Sequence, residues 1–487
     1  MEICDEIMVF IYYVDIDLGR GMPCRRGWGT ASGQFSDQIR QTQKVFEEWD
    51  KDDSPGCAIG IVKDGELVYS DGFGIANLEY DEPITSKTVF RIGSTSKQFT
   101  AACVVLLEEE GKLSLDDDVR KYIPELPEYK QTVTLRHMLH HTSGLPEYLS
   151  LLNKNGAFVD ALDFFDEKKA LQAMAEAPEL IFPVGEKYRY TNSNFFLMSV
   201  VVERVSGMTL AEYAKKNMFV PLGMKNTRFH DDVTEIIKNR ATGYGRRRNG
   251  PLRIHETTLE IVGDGAIFTT IEDMYLWDQN FYDNRLGKGG SNLIDKMQTS
   301  GILNNGESID YGLGLSVETY RGLSRIGHGG SWVGFRSNYM RFPDQQFTVI
   351  VFCNLARMNP GRLAAKVADI WIGDAMAEEQ IVQRPAGANA EQRQLEKPVA
   401  VDPNILGRYV GKYQLAPDMD FTVTTKKGKL FIGLTGQAAY EVYPRSETEW
   451  YYKVVEATVT FEVDGEGKCS EMELFQHGVR QKAKRIK

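Results

Sequence analysis

The chain has 487 residues, of which 42% are hydrophobic and 26% charged, with a formal net charge of −11. That length and apolar content can bury a large core and hold two or three domains. The acidic balance argues against nucleic-acid binding, which needs a broad basic face. The one basic run, Arg246-Arg247-Arg248 between Gly245 and Gly250, reads as a solvated hairpin tip.

Residues 1–33 form an N-terminal extension without an assigned structure. Ile7 to Val14 is apolar but too short to span a bilayer, and it follows Glu2, Asp5 and Glu6 where an export signal wants positive charge. Neither a signal nor a membrane span is expected, and the compartment stays open between cytoplasmic and exported. The first helix is predicted over Phe35 to Trp49, with Ile39, Val45, Phe46 and Trp49 toward one face. Six scattered cysteines, Cys4, Cys24, Cys57, Cys103, Cys353 and Cys469, show neither Cys-x-x-Cys nor metal-ligand spacing. They read as small core residues, with no disulfide framework expected.

From Pro55 the pattern becomes regular. Cys57 to Val62, the Lys63-Asp64-Gly65 turn and Leu67 to Tyr69 predict a hairpin. Phe90-Arg91-Ile92-Gly93 leads into Ser94, and an amphipathic spacing of Phe99, Ala102, Cys103, Leu106 and Leu107 predicts a helix from Ser96 that stops at Gly111. Ser94 therefore sits at a helix N-terminus, where residues three apart share a face and Lys97 can reach its hydroxyl. Free backbone N–H groups there favour negative charge, and burial would lower the lysine pKa enough to make it a base. A Ser-x-x-Lys tetrad is a weak signal alone, and the plain reading is a capping serine beside a solvated lysine.

Two further elements raise its weight. Phe182-Pro183-Val184-Gly185 feeds Tyr188 to Asn194 and then the apolar helix Phe195 to Val205; Tyr190 could relay a proton and Asn192 could bond a substrate amide. Arg325 to Ser331, containing His328-Gly329-Gly330, precedes strand-like runs Ser337–Phe342 and Phe347–Cys353, and glycines there would let a substrate backbone approach. Tyr282-Asp283-Asn284 and Lys288-Gly289-Gly290 match the same short patterns without that context and are set aside. His137, His140 and His141 lack a His-Glu-x-x-His arrangement and read as structural. No Gly-x-Ser-x-Gly elbow exists in the chain.

Together with Leu135 to Pro146, Gly263-Asp264-Gly265-Ala266 and Tyr311-Gly312-Leu313-Gly314, these elements resemble the serine β-lactamase and penicillin-binding-protein-like superfamily over residues 35 to 380. The resemblance is to the class C-like branch of D-aminopeptidases, D-Ala-D-Ala carboxypeptidases and β-lactamase-like esterases. It implies Ser94 as the acylated nucleophile, Lys97 as its base partner and Tyr190 as a second acid and base. It implies Asn192, His328, Gly329, Gly330 and Ser331 as substrate-binding residues, and the N–H groups of Ser94 and Ser331 as the oxyanion hole, with no metal or cofactor. His328 departs from the family's strand lysine, and a mostly neutral imidazole would bind β-lactam carboxylates poorly. Peptidase or esterase action therefore ranks above β-lactamase or D,D-carboxypeptidase action. A non-catalytic sensor or scaffold is the reading from another class.

Beyond Ile381 the composition shifts. Residues 34–382 form the expected catalytic domain, 383–402 a linker and 403–487 a second domain. Short alternating runs at Arg408–Tyr413, Phe421–Thr424, Lys429–Ile432, Ala439–Tyr443, Ala457–Val463 and Cys469–Gln476 predict a small antiparallel barrel, similar to the lipocalin-like domain appended to some of these enzymes. The expected fold class is α+β, an antiparallel sheet flanked by helices with a helical subdomain near 120–240, plus this all-β barrel. The expected partner is a small-molecule, short-peptide or ester substrate, with no nucleic acid, no membrane span, and homo-oligomerisation left open.

Overall fold

A computed structural model describes residues 33–152, 166–246, 250–377, 399 and 401–486, apart from loop stretches at 417–418, 427, 435–438, 453–456, 465–466 and 477–478. The segment 1–32, the tip residues Arg247 and Arg248, and the predicted linker from Arg384 to Lys397 lie outside the described residues.

Runs of Val, Ile and Phe build a six-stranded antiparallel sheet. Its order is Ser316–Tyr320, Leu323–Trp332, Phe335–Phe342, Phe347–Cys353, Cys57–Lys63, Glu66–Phe73. Successive side chains leave a strand on opposite faces, so the sheet divides two cores. Cys57, Ile59, Ile61, Val349 and Val351 pack with Phe46, Leu363 and Val367 from the helices Ser36–Phe46 and Pro360–Ile372. Ala58, Ile350 and Phe352 join Phe99, Trp277 and the helical lobe on the other face.

The lobe contains helices Leu135–Leu139, Tyr148–Leu152, Glu167–Ala175, Asn192–Ser206 and Leu210–Ala214, within the span expected for it. One expectation is corrected. The helix Lys97–Glu109 is not amphipathic but buried from Lys97 through Leu107 on every side, because it runs between sheet and lobe. Phe99 packs against both Phe219 and Trp277, at ring distances of 5.8 and 4.6 Å. Gly111 ends the turn after this helix with φ +74°, the left-handed stop predicted.

The cysteine expectation is also corrected. Cys57 and Cys353 form a disulfide across neighbouring strands, where the register sets them directly opposite each other. That pairing depends on a register between segments 296 residues apart, which no local pattern announces. Cys103 and Cys469 are buried and free.

Residues Gly411–Arg485 close an eight-stranded antiparallel barrel, with the first and last strands joined at Tyr413↔Arg485. Tyr413, Phe421, Ile432, Trp450, Phe461 and Met472 fill it. Two of its strands were not predicted, Glu449–Tyr452 and Val479–Arg485. The second reads as polar because, of its side chains that are described, only Ala483 is buried. Among the described residues, no helix is long and apolar enough to cross a membrane.

Candidate active site

The strand Phe90–Arg91 pairs with Ile267–Thr269 and delivers the chain into a tight 3-10 turn, Gly93–Ser96, from which the central helix starts at Lys97. Gly93 has φ +52°, and a Cβ there would stand 2.8 Å from the Ser331 nitrogen. Gly330 is equally constrained, since a Cβ would strike the Ile92 carbonyl. The Gly330 position therefore serves the contact between the strand and the Ser94 turn, whereas the sequence reading assigned its openness to substrate. Thr95 and Ser337 tie the same junction: Thr95 Oγ1 donates to the His328 carbonyl at 3.2 Å, and Ser337 Oγ donates to the Ile92 carbonyl at 2.6 Å.

Lys97 is fully buried. Its Nζ donates to Ser94 Oγ at 3.3 Å, Asn192 Oδ1 at 2.8 Å and the Asp264 backbone carbonyl at 2.6 Å. All three partners are neutral. Burial therefore lowers the ammonium pKa to about 8, against the upward pull of the Asp264 and Glu147 carboxylates farther off. The rings of Tyr190 and Phe195 lie 4.9 and 5.7 Å from Nζ.

Asn192 opens the helix Asn192–Ser206, but its side chain goes to Lys97. The Glu147 carboxylate takes over at the helix start, accepting from Asn192 N at 2.8 Å and from Thr191 Oγ1 at 3.2 Å. Tyr190, just before this start, has its phenol beside the Ser94 hydroxyl, which pulls its pKa downward. It keeps 37% of its surface exposed, so its desolvation is partial; burial is still the largest influence and pushes its phenol above the ordinary value.

His328 lies in the strand Leu323–Trp332, 6.1 Å from the Tyr190 ring. Its Nδ1 donates to the Gly329 carbonyl at 2.6 Å, which leaves Nε2 to accept from the Tyr311 hydroxyl at 3.0 Å. Burial, then the nearby Lys97 charge, lower its pKa to about 4, so the imidazole is neutral at pH 7. Ser94, Asn192, Asp264 and Ser331 line one open cleft of about 450 Å³.

The sequence-predicted residues Ser94, Lys97, Tyr190, Asn192, His328 and Ser331 thus converge. Tyr282-Asp283-Asn284 and Lys288 do not: Asn284 braces its own loop through the Leu286 and Gly290 carbonyls, and Lys288 lines a separate surface cavity. His137 closes a capping box with Thr134, and His140 holds the Tyr311 carbonyl. His141 is fully buried against Tyr190, with ring centroids 4.3 Å apart. Asp264, Tyr311 and Glu147 were not assigned roles from sequence, although Asp264 and Tyr311 lie in two of the segments that carried the resemblance. Asp264 is buried, accepts from the Tyr148 hydroxyl at 3.1 Å, and has its carboxyl pushed by burial up to about 6.

A hydroxyl, a depressed ammonium and a neutral phenol meeting at one point can strip and return a proton at an attacking oxygen. The Beta-lactamase family model matches residues 42–370, and the chain belongs to that family. A domain of unknown function (DUF3471) matches residues 395–485, across the barrel. Penicillin-binding protein 4* of Bacillus subtilis (strain 168) is 29% identical over 470 residues, 92% of this chain and 99% of that protein. A D-aminopeptidase of Gluconobacter oxydans (strain 621H) is 27% identical over 332 residues, covering 68% of this chain but only 61% of its own length. Among solved structures, the octameric penicillin-binding protein homologue from Pyrococcus abyssi superposes with a TM-score of 0.63 at 24% identity, over 92% of this chain and 100% of that one. A D-stereospecific amidohydrolase from Streptomyces sp. gives a TM-score of 0.57 at 21% identity, over 69% and 98%.

Proposed function

We propose that the chain is a serine hydrolase that acylates Ser94 and cleaves amides of D-amino acids. The observation that carries this reading is the Lys97 ammonium, buried among neutral acceptors 3.3 Å from Ser94 Oγ. With a pKa of about 8 it is neutral in roughly one molecule in ten at pH 7, enough to take the serine proton. Ser94 Oγ then bonds to the substrate carbonyl carbon, and the N–H groups of Ser94 and Ser331 hold the oxyanion. As the C–N bond breaks, Tyr190 hands a proton to the departing amine. Water reverses the sequence and releases the acid. Asn192 fixes the Lys97 nitrogen and faces the cleft beside it.

Support for amides of D-amino acids comes from the D-aminopeptidase relative and the D-stereospecific amidohydrolase fold neighbour. The uncharged His328, committed to Tyr311 and Gly329, disfavours β-lactam carboxylates. Turnover of D-alanine p-nitroanilide that falls by a factor on the order of 10⁴ or more in Ser94→Ala supports the reading. Equal activity in that variant would exclude it.

A further inference from the structure

Two residues that line the Ser94 cleft carry unpartnered N–H groups that the catalytic proposal does not use. Arg91 is 3% exposed, and its guanidinium makes no hydrogen bond to any described residue. Its Nε is enclosed and without a partner. Trp332 has its indole Nε1–H in the same condition. Both residues line the cavity that Ser94 opens on, together with the apolar Leu259, Ile261 and Ala266.

The neighbouring carboxylates are already committed. Glu256 accepts from Gly243 N at 2.6 Å and from Arg240 at 3.2 Å, and Asp264 accepts from Tyr148. Arg91 instead leans over Phe268, its cross-strand neighbour, with its Cζ 5.7 Å from the ring centroid. A guanidinium offers five N–H donors, and enclosing it without acceptors is costly unless something in the cavity supplies them. The apolar wall beside it suits a short aliphatic chain ending in that acceptor.

Resting on the acyl-transfer reading above, we infer that this cavity is a carboxylate subsite for the acyl half of the substrate, with the Arg91 guanidinium as its anchor. The side is assigned by chemistry. Tyr190 serves the leaving group, and neither Tyr190 nor His328 lines this cavity. The acyl side chain therefore enters toward Arg91, and the preferred substrates are amides of acidic D-amino acids. An arginine fork fits a carboxylate in a way a lysine does not.

The test compares D-glutamic acid α-p-nitroanilide with D-glutamine α-p-nitroanilide, which differ in charge but hardly in size. The charged substrate should be favoured in kcat/KM by about tenfold or more. In Arg91→Gln the ratio should collapse to about one, whatever the absolute rates, and Arg91→Lys should fall between the two. A wild-type ratio of one or below overturns the inference even where the variants do not fold, as does a full ratio retained in Arg91→Gln. Calorimetric titration of Ser94→Ala with the two plain α-amides separates this claim from the catalytic one. Tighter binding of the charged amide without turnover by the wild type keeps the subsite and removes the hydrolase; Ser94-dependent turnover with no charge preference does the reverse.

Discussion

Arg341 and Lys97 are both long cations with no more than 1% exposure, one in the sheet and one at the head of the central helix. Arg341 donates to Asp278, whose same oxygen also accepts from Tyr339 and Thr348 at 2.8–2.9 Å. Burial works against the arginine charge, but Tyr339 and Asp278 outweigh it and raise the pKa above its ordinary value. Lys97 has no carboxylate in contact, and burial wins. A buried cation given an anion is a fixed structural charge; one given only carbonyl, amide and hydroxyl oxygens becomes a group that titrates near neutrality.

The largest expected effect comes from removing the titrating member. Lys97→Met should lower kcat/KM by about 10³-fold or more while raising the melting temperature, since it replaces a costly buried charge with apolar volume. Steady-state kinetics and thermal unfolding of the same preparation check both halves. Asp278→Ala should do the opposite, leaving Arg341 unpaired and costing about 3–5 kcal/mol of stability, read by denaturant unfolding. A small loss there would mean that the two cations are less different than their surroundings indicate.

Asn192→Asp would give Lys97 the anion that Arg341 already has. The rate should rise with pH through about 8 in the wild type as Lys97 loses its proton, and that rising limb should move up by about one unit or more in the variant. An unmoved midpoint would detach that limb from Lys97.

The smallest effect is an acid window. His140, His230 and His328 have pKa values lowered to about 4, and His141 is also held well below the ordinary value, each chiefly by burial. Between pH 6.5 and 4 the unfolded chain binds protons that the native one refuses, so stability should fall as pH drops through that range. Asp264, raised to about 6, acts in the opposite sense over the lower part of it, together with Glu167, Asp231, Glu256 and Asp273, which burial also raises, and these blunt the fall. Unfolding midpoints across pH 4–7 measure the balance.

The meeting of Ser94, Lys97 and Tyr190 was legible because a three-residue helical spacing and a Pro/Gly turn before an apolar helix are local signals. The neutral state of His328 was legible from its reference pKa, though Tyr311 as its partner was not. Arg91 looked like an ordinary strand residue, because its isolation depends on Glu256 being taken by Arg240. The burial of the central helix escaped for a related reason: Lys97, Gln98 and Thr100 read as a polar face until Asp264, Trp277 and Gly263 supply partners from distant segments. In the barrel, Val479–Arg485 was hidden by its charge, since a strand can be almost wholly polar when little more than its backbone pairing is needed.

The bond between Cys57 and Cys353 also bears on how the chain is made. During synthesis the Cys57–Lys63 strand leaves the ribosome early, yet one of its two neighbours is completed only some 296 residues later. Until then it has a hairpin partner on one side and an open edge on the other, and such edges invite pairing with the wrong chain. Oxidation of the two thiols then records that the correct closure has occurred and holds the beginning and end of the catalytic sheet together through any later opening.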